Sequence, residues 1–222
     1  MGFRIGTMFM GEVDSVGPQS VQTKFFVLGV PLVPLGSFFF TAPGRGIEIP
    51  INGRSVAAGY SRLVFGLGAT LLVLRLFVMS SWHRDASDYA AAFGAAAMFV
   101  ASLVFLGRLD KAEKRRRTVL LARTGLAADP AILPALLRSG IAADLRARLA
   151  EKELPLRAED WAAAATAIAG AGASAGDGPY RLGGERFDSA AWGDAYAYAR
   201  YAGVDDPTWR AALPSIWENV VA

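Results

Sequence analysis

The sequence predicts an α+β membrane protein: a transmembrane helical hairpin, preceded by a small N-terminal β unit and followed by a C-terminal all-α domain. Three observations carry this expectation. Two apolar runs of bilayer-crossing length lie close together between Val56 and Leu106. The segment before them is cut into short Val-, Ile-, Thr- and Phe-rich pieces by Gly, Pro, Ser and Asn. The segment after them is alanine-rich, with larger apolar residues at helical spacing. The boundaries expected on these grounds are 1–55, 56–107 and 108–222.

The β unit comes first. "RIGTMFMGEVDSV", "SVQTKFFVLGV", "PLGSFFFTA" and "GIEIPIN" have the composition of antiparallel strands separated by turn residues. Pro31 and Pro34 cannot donate ladder hydrogen bonds and therefore belong to a connection or an edge, so "GVPLVPLG" is read as the turn between two aromatic strands. Strand alternation places only every second phenylalanine on one face. The others face outward, and a contiguous exposed apolar patch marks a contact. Phe25, Phe26, Leu32, Val33, Leu35, Phe38 and Phe40 are accordingly the candidates for resting on membrane or partner, with core packing as the alternative.

The first apolar run, Ala57 to Met79, exceeds the about 20 residues needed to cross a ~30 Å hydrocarbon layer. Arg62 and Arg75 interrupt it about one turn from either end, where a long side chain lifts its guanidinium to the headgroups. The second run, Tyr89 to Leu106, is uncharged over about 18 residues, the lower end of the spanning range. Helices in a soluble core are also apolar all round, yet seldom go that far without a charge. A signal peptide fits less well, because the run begins far from Met1 and lacks a cleavage pattern. "SSWHRDASD" is a short turn, so the spans are antiparallel, with Trp82 and Tyr89 as interfacial rings.

Small residues recur inside the pair. Gly66, Gly68 and Gly94 stand at positions that let helix backbones approach closely, either within the hairpin or against helices of other integral membrane subunits. After Leu106 comes a basic run with Arg108, Lys111, Lys114, Arg115, Arg116 and Arg117, against His83 and Arg84 in the turn. The positive-inside rule then places both termini in the cytoplasm. The same run attracts anionic lipid at about 1 kcal/mol per basic residue near the surface.

"TKFF…PLVPLGS" followed by "IPINGRSVAAGY" and an apolar span resembles a pattern in uncharacterised bacterial membrane proteins, over roughly the first quarter of the chain. The resemblance implies a bacterial inner membrane and carries no activity.

In the C-terminal segment, the helix continuing from the second span is expected to end at Gly125, and Asp129 with Pro130 to open another that Gly140 closes. "IAADLRARLAEKEL" is amphipathic, Leu154 and Pro155 end it, and "RAEDWAAAATAIAGAGASAG" forms the next. "GDGPYRLGGERF" is read as a glycine-rich loop without a Walker lysine. Two last helices follow, the second opening at Asp206 and Pro207. Their aromatics, among them Trp192, Tyr196, Trp209 and Trp217, are either core or partner surface.

Composition bounds the function. Hydrophobic residues make up 53% of 222 and charged residues 19%, below the ~25% of ordinary soluble domains, and the apolar surplus sits in the two runs. With no cysteine, disulfides, iron–sulfur ligation, thiolate zinc sites and cysteine nucleophiles are excluded. His83 is the only histidine, and no HExxH, GxSxG or paired-histidine pattern is present. The net charge of +3 is concentrated beside an apolar run rather than on an aromatic-interleaved face, so no nucleic-acid partner is expected. The expectation is a non-catalytic accessory subunit of a larger membrane complex, respiratory or photosynthetic, without a cofactor of its own. The alternative is a membrane-anchored adaptor or sensor whose helical tail binds a soluble partner.

Overall fold

A computed structural model of the chain describes residues 5–28, 30–78, 85–170, 180–182, 185–187 and 189–221. These divide into two compact units, Met1–Lys114 and Arg115–Ala222, so the β unit and the hairpin belong to one body.

In the first unit, β1 (Ile5–Val16), β2 (Gln19–Leu28), β3 (Val30–Ala42) and β4 (Arg45–Ile49) form an antiparallel sheet in chain order. Alternation sorts its side chains. Val13, Val21, Phe25 and Phe39 point inward and are fully buried, whereas Phe26, Phe38 and Phe40 lie on the outer side. The reading of "GVPLVPLG" as a turn is corrected: β3 runs through both prolines, pairing Pro31 with Val27 and Pro34 with Phe25. It can do so because β4 pairs only from Ser37 onward, so the proline half of β3 is open on its far side, where a missing N–H has no ladder partner to lose. Register shifts between Lys24 and Phe25 and between Phe26 and Val27 absorb the irregularity.

Two helices follow, α1 (Gly53–Val78) and α2 (Ala86–Phe105), packed against each other. Asn52 opens α1: its Oδ1 accepts from the Ser55 N–H at 3.0 Å, the geometry of an N-cap. The first turns of α1 then dock on the inward face of the sheet through a buried hydroxyl network. Thr23 Oγ1 donates to Ser55 Oγ at 2.9 Å, and Ser55 Oγ donates to the Gly11 carbonyl at 2.6 Å. A hydroxyl has one hydrogen, so in the 2.9 Å contact of Thr23 with Ser37 the donor is Ser37. The Asn52 N–H in turn donates to Ser37 Oγ at 2.9 Å. All three hydroxyl residues are fully buried, and every one is satisfied.

Such close docking needs glycine. Gly11 sits at a register shift of β1 with φ of 70°, and a Cβ there would lie 1.9 Å from the Ser55 carbonyl oxygen. At Gly59 an added Cβ would lie 3.0 Å from the Phe25 ring, which packs edge-on against Tyr60 at 5.3 Å. The helix expected to continue from the second span is interrupted: α2 ends at Phe105, and α3 (Lys111–Thr124) starts afresh. At the break the Gly107 carbonyl accepts from the Asp14 N–H at 3.2 Å, tying the exit of α2 to β1.

The second unit is built around α6 (Ser189–Ala202), buried on nearly every side. Around it stand α4 (Ala135–Glu151), α5 (Ala158–Gly170) and α7 (Pro207–Val221). The Asp129 cap and Pro130 open only a short 3-10 turn, Pro130–Ile132, and α4 begins after Pro134. Gly140 does not close a helix, since α4 passes through it, while Gly125 does follow the end of α3 with φ of 75°. The domain is not all-α: β5 (Tyr180–Leu182) and β6 (Glu185–Phe187) pair as a short hairpin where a loop was read, with 176–179 and 183–184 outside the described residues.

Aromatic pairs fill the core. Trp161 meets Trp192 edge-on at 5.0 Å and Tyr198 meets Trp209 at 4.8 Å, geometries worth about 0.5–1.5 kcal/mol each beyond area burial. Asp194, 3% exposed, accepts from Lys152 Nζ at 2.6 Å and stands 3.7 Å from Arg123 Nη1. It thus joins α6 to α3 and to the end of α4. Gly193 leaves the space for that guanidinium, because a Cβ would lie 2.8 Å from Arg123 Nε.

Thr23→Val keeps the shape but strips Ser55 and Ser37 of their partner, and is expected to lower unfolding stability in detergent by about 1–3 kcal/mol. Gly11→Ala should cost more than Gly17→Ala, since Gly17 shares a left-handed φ of 59° but has open space around its Cβ; equal losses in the same denaturation would contradict the docking account. In the second unit, burial lifts the Tyr201 phenol above its ordinary 10.0, with the Arg200 charge pulling down and Asp129 pushing up. The neutral phenol therefore contributes stability that is complete below pH ~10 and is lost as pH rises through the raised folded value. Tyr201→Phe should move the alkaline unfolding midpoint, followed by circular dichroism, to higher pH.

Candidate functional surface of the hairpin and sheet

Both hairpin helices are long and apolar enough to cross a membrane, and of their most apolar stretches 0% of α1 and 11% of α2 is buried. That exposure separates them from the central helix of a soluble core, which α6 exemplifies. Leu71, Phe77, Val78, Phe93, Val100 and Phe105 project outward. At about 1.5 Å per residue, α1 measures ~39 Å and α2 ~30 Å.

The charges that interrupt the apolar pattern have defined partners. Arg75 Nη2 pairs with Asp88 Oδ1 at 2.9 Å, which fastens the far end of α1 to the first turn of α2. Arg62 Nη2 donates to the Glu12 carbonyl at 2.9 Å, so its guanidinium is drawn toward β1 rather than along the span. Arg54 bonds Asp14 at 3.0 Å and the Arg108 carbonyl at 3.2 Å. Trp82, His83 and Arg84 lie outside the described residues. Tyr89 is exposed near the start of α2.

The small residues divide. Gly66 is where the helices meet: an added Cβ would stand 3.1 Å from the Phe99 ring. Gly68 and Gly94 have nothing within 4 Å of such a Cβ and so face away from the hairpin contact.

The candidate apolar contacts divide in the same way. Phe25 is fully buried beneath α1 and is core, not contact. Phe26 and its cross-strand partner Val33 are exposed together, 36% and 52%, with Leu35 nearby at 51%. Leu32 lies in β3, but its side chain is outside those described. Phe38 and Phe40 are half-buried, each meeting Phe9 edge-on at 5.4 and 5.0 Å. In the second unit the expected aromatic contact surface is corrected: Trp192, Tyr196 and Trp209 are buried around α6, and Trp217 is half-buried against Tyr196 at 4.8 Å. The packing of α6 between α4 and α7 consumes them.

The basic run is divided too. Arg117 is buried at 6% exposure and Arg116 lies over the Trp217 ring at 5.6 Å, so these two serve the second unit, while Arg115 is exposed. Arg108, Lys111 and Lys114 line a cavity of about 760 Å³ at the base of the hairpin, together with Arg62 and Glu12. Leu103, Val104 and Leu109 give it an apolar part as well. Among the described residues no group of three or more His, Asp or Glu stands ready to hold a metal ion.

Sequence reasoning missed Gly11, Thr23, Ser37 and Ser55, which set how the sheet meets the hairpin. Only Ser55 carried a local signal, standing three residues after the capping Asn52. Gly66→Leu should push α1 and α2 apart and lower the unfolding midpoint in detergent, while Gly68→Leu and Gly94→Leu leave it unchanged. No known family model, curated protein or solved structure matches this chain.

Proposed function

We propose that this chain is a non-catalytic membrane-anchored adaptor. Its hairpin spans the bilayer twice with both termini in the cytoplasm, and its C-terminal unit is held at the membrane surface to engage a soluble partner. The supporting observation is that Arg115–Ala222 forms a compact unit with its own core of Leu120, Leu145, Leu149, Trp161, Trp192 and Ile216. A unit that satisfies its own apolar residues has no need of a permanent neighbour to fold. The orientation rests on Arg108, Lys111, Lys114 and Arg115 at the exit of α2, outnumbering the cations of the turn.

A second reading, an accessory structural subunit of a larger complex, is favoured by a different observation. Gly68 and Gly94 present open small-residue faces suited to neighbouring spans, and the Phe26–Val33 patch on the sheet is uncovered. Respiratory or photosynthetic assemblies are the natural setting for such a subunit.

Expression of residues 115–222 alone separates the two. As an adaptor tail it should be a soluble monomer with one cooperative unfolding transition. Aggregation of the tail, together with co-purification of stoichiometric membrane proteins with the full chain, would favour the structural subunit. Either reading requires the full chain to need detergent, so a chain monodisperse in plain buffer would defeat both.

A further inference from the structure

We propose that the basic cavity at the base of the hairpin is a specific site for one anionic diacyl glycerophospholipid. The inference rests on the membrane-spanning reading of α1 and α2, and deepens it by naming a ligand.

The cavity sets four cationic side chains, Arg62, Arg108, Lys111 and Lys114, against one carboxylate, Glu12, whose Oε1 already accepts from Ser15 Oγ at 3.0 Å. Electrostatics therefore select an anion. Arg62, the least exposed of these cations, is anchored by its 2.9 Å bond to the Glu12 carbonyl and so is held in place. Its fixed fork of donors suits phosphate oxygens.

What makes the anion a lipid is the apolar surface that leads away from the charges. Arg62 and Leu103 also line a groove of about 610 Å³ between the helices, continuing past Leu63, Gly66, Thr70 and Phe99. Val104 also lines a second groove, about 500 Å³, along α2 past Phe93, Ala97 and Ala101. Two open, largely apolar grooves thus adjoin one basic chamber through shared lining residues, as the two acyl chains of a phospholipid adjoin one headgroup. Gly66 and the alanines of α2 leave the grooves open, so that a chain can lie close against the helix. A soluble phosphate compound would use the chamber alone and gain nothing from either groove. With the spans in a bilayer, the chamber lies at the end of α2 where the basic run begins, at headgroup depth on the cytoplasmic side, where basic pockets between helices hold anionic lipid heads.

The test uses the full chain in neutral detergent, titrated with phosphatidylglycerol, phosphatidylcholine or glycerol 3-phosphate, bound ligand being counted by native mass spectrometry. One phosphatidylglycerol per chain is expected, with phosphatidylcholine at least tenfold weaker and glycerol 3-phosphate unable to displace the lipid. Arg108→Gln with Lys111→Gln, both exposed and outside the helix contacts, should weaken phosphatidylglycerol about 30-fold at unchanged thermal unfolding, given about a fivefold effect per basic residue. Val104→Trp, which fills the mouth of one groove and leaves the charges alone, should weaken it as well. Equal retention of the two lipids, an indifferent double variant, or displacement by glycerol 3-phosphate would each overturn the site. A chain that proved monodisperse without detergent would instead overturn the membrane reading, and size-exclusion chromatography of the same preparation reports that separately.

Discussion

Everything in the first unit depends on how the root of α1 is seated on the sheet, and three buried hydroxyls decide it. Thr23, Ser37 and Ser55 have no water to turn to, so each must find its partner within the protein, and together they admit one arrangement of donors. A purely apolar contact would let the helix slide or rotate at little cost. The hydroxyl chain does not, because a shift of one residue would strand at least one buried polar group. The Gly11 carbonyl closes the chain, and the absence of a side chain at Gly11 and Gly59 brings the two backbones near enough for it to reach.

From that seat the rest of the hairpin base follows. Arg54 reaches Asp14 and the Arg108 carbonyl, Arg62 reaches the Glu12 carbonyl, and the Asp14 N–H reaches Gly107. Cations that look like interruptions of an apolar span are fasteners between the spans and β1. They also shape the basic chamber, since the break after α2 at Gly107 turns the chain so that Arg108, Lys111 and Lys114 come round beside Arg62. A helix continuing unbroken from α2 would have carried those residues away along a straight axis.

The second unit is organised by the opposite principle, a central helix wrapped in aromatic rings that carries a buried, paired carboxylate at Asp194. Asp194 is tolerable there because Lys152 and Arg123 approach from two other helices, and the same pairing sets the rotation of α6. Rings that could equally have formed a sticky exterior are spent on this interior. The exposed large apolar residues therefore lie mainly on the hairpin and the sheet.

Some of this was legible in the residues alone. Long uncharged runs have one common fate as helices, so α1 and α2 were predictable to within a few residues, and strand alternation required the phenylalanines to divide between two faces without saying that Phe25 would fall on the buried one. Capping at Asp129 and Asp206 was likewise local chemistry. What required the tertiary structure was every property set by residues distant in sequence: that β3 could accept Pro31 and Pro34 because β4 stops short of them, that Gly140 lay inside a helix, that Trp192 and Trp209 were core, and that Arg62 joined Arg108 in one chamber. Sequence by itself determined which segments were apolar and regular, since backbone preference and hydrophobicity act over a few residues. Only the fold decided which groups meet, because the burial of a hydroxyl or a charge has no meaning until a partner from elsewhere in the chain stands beside it.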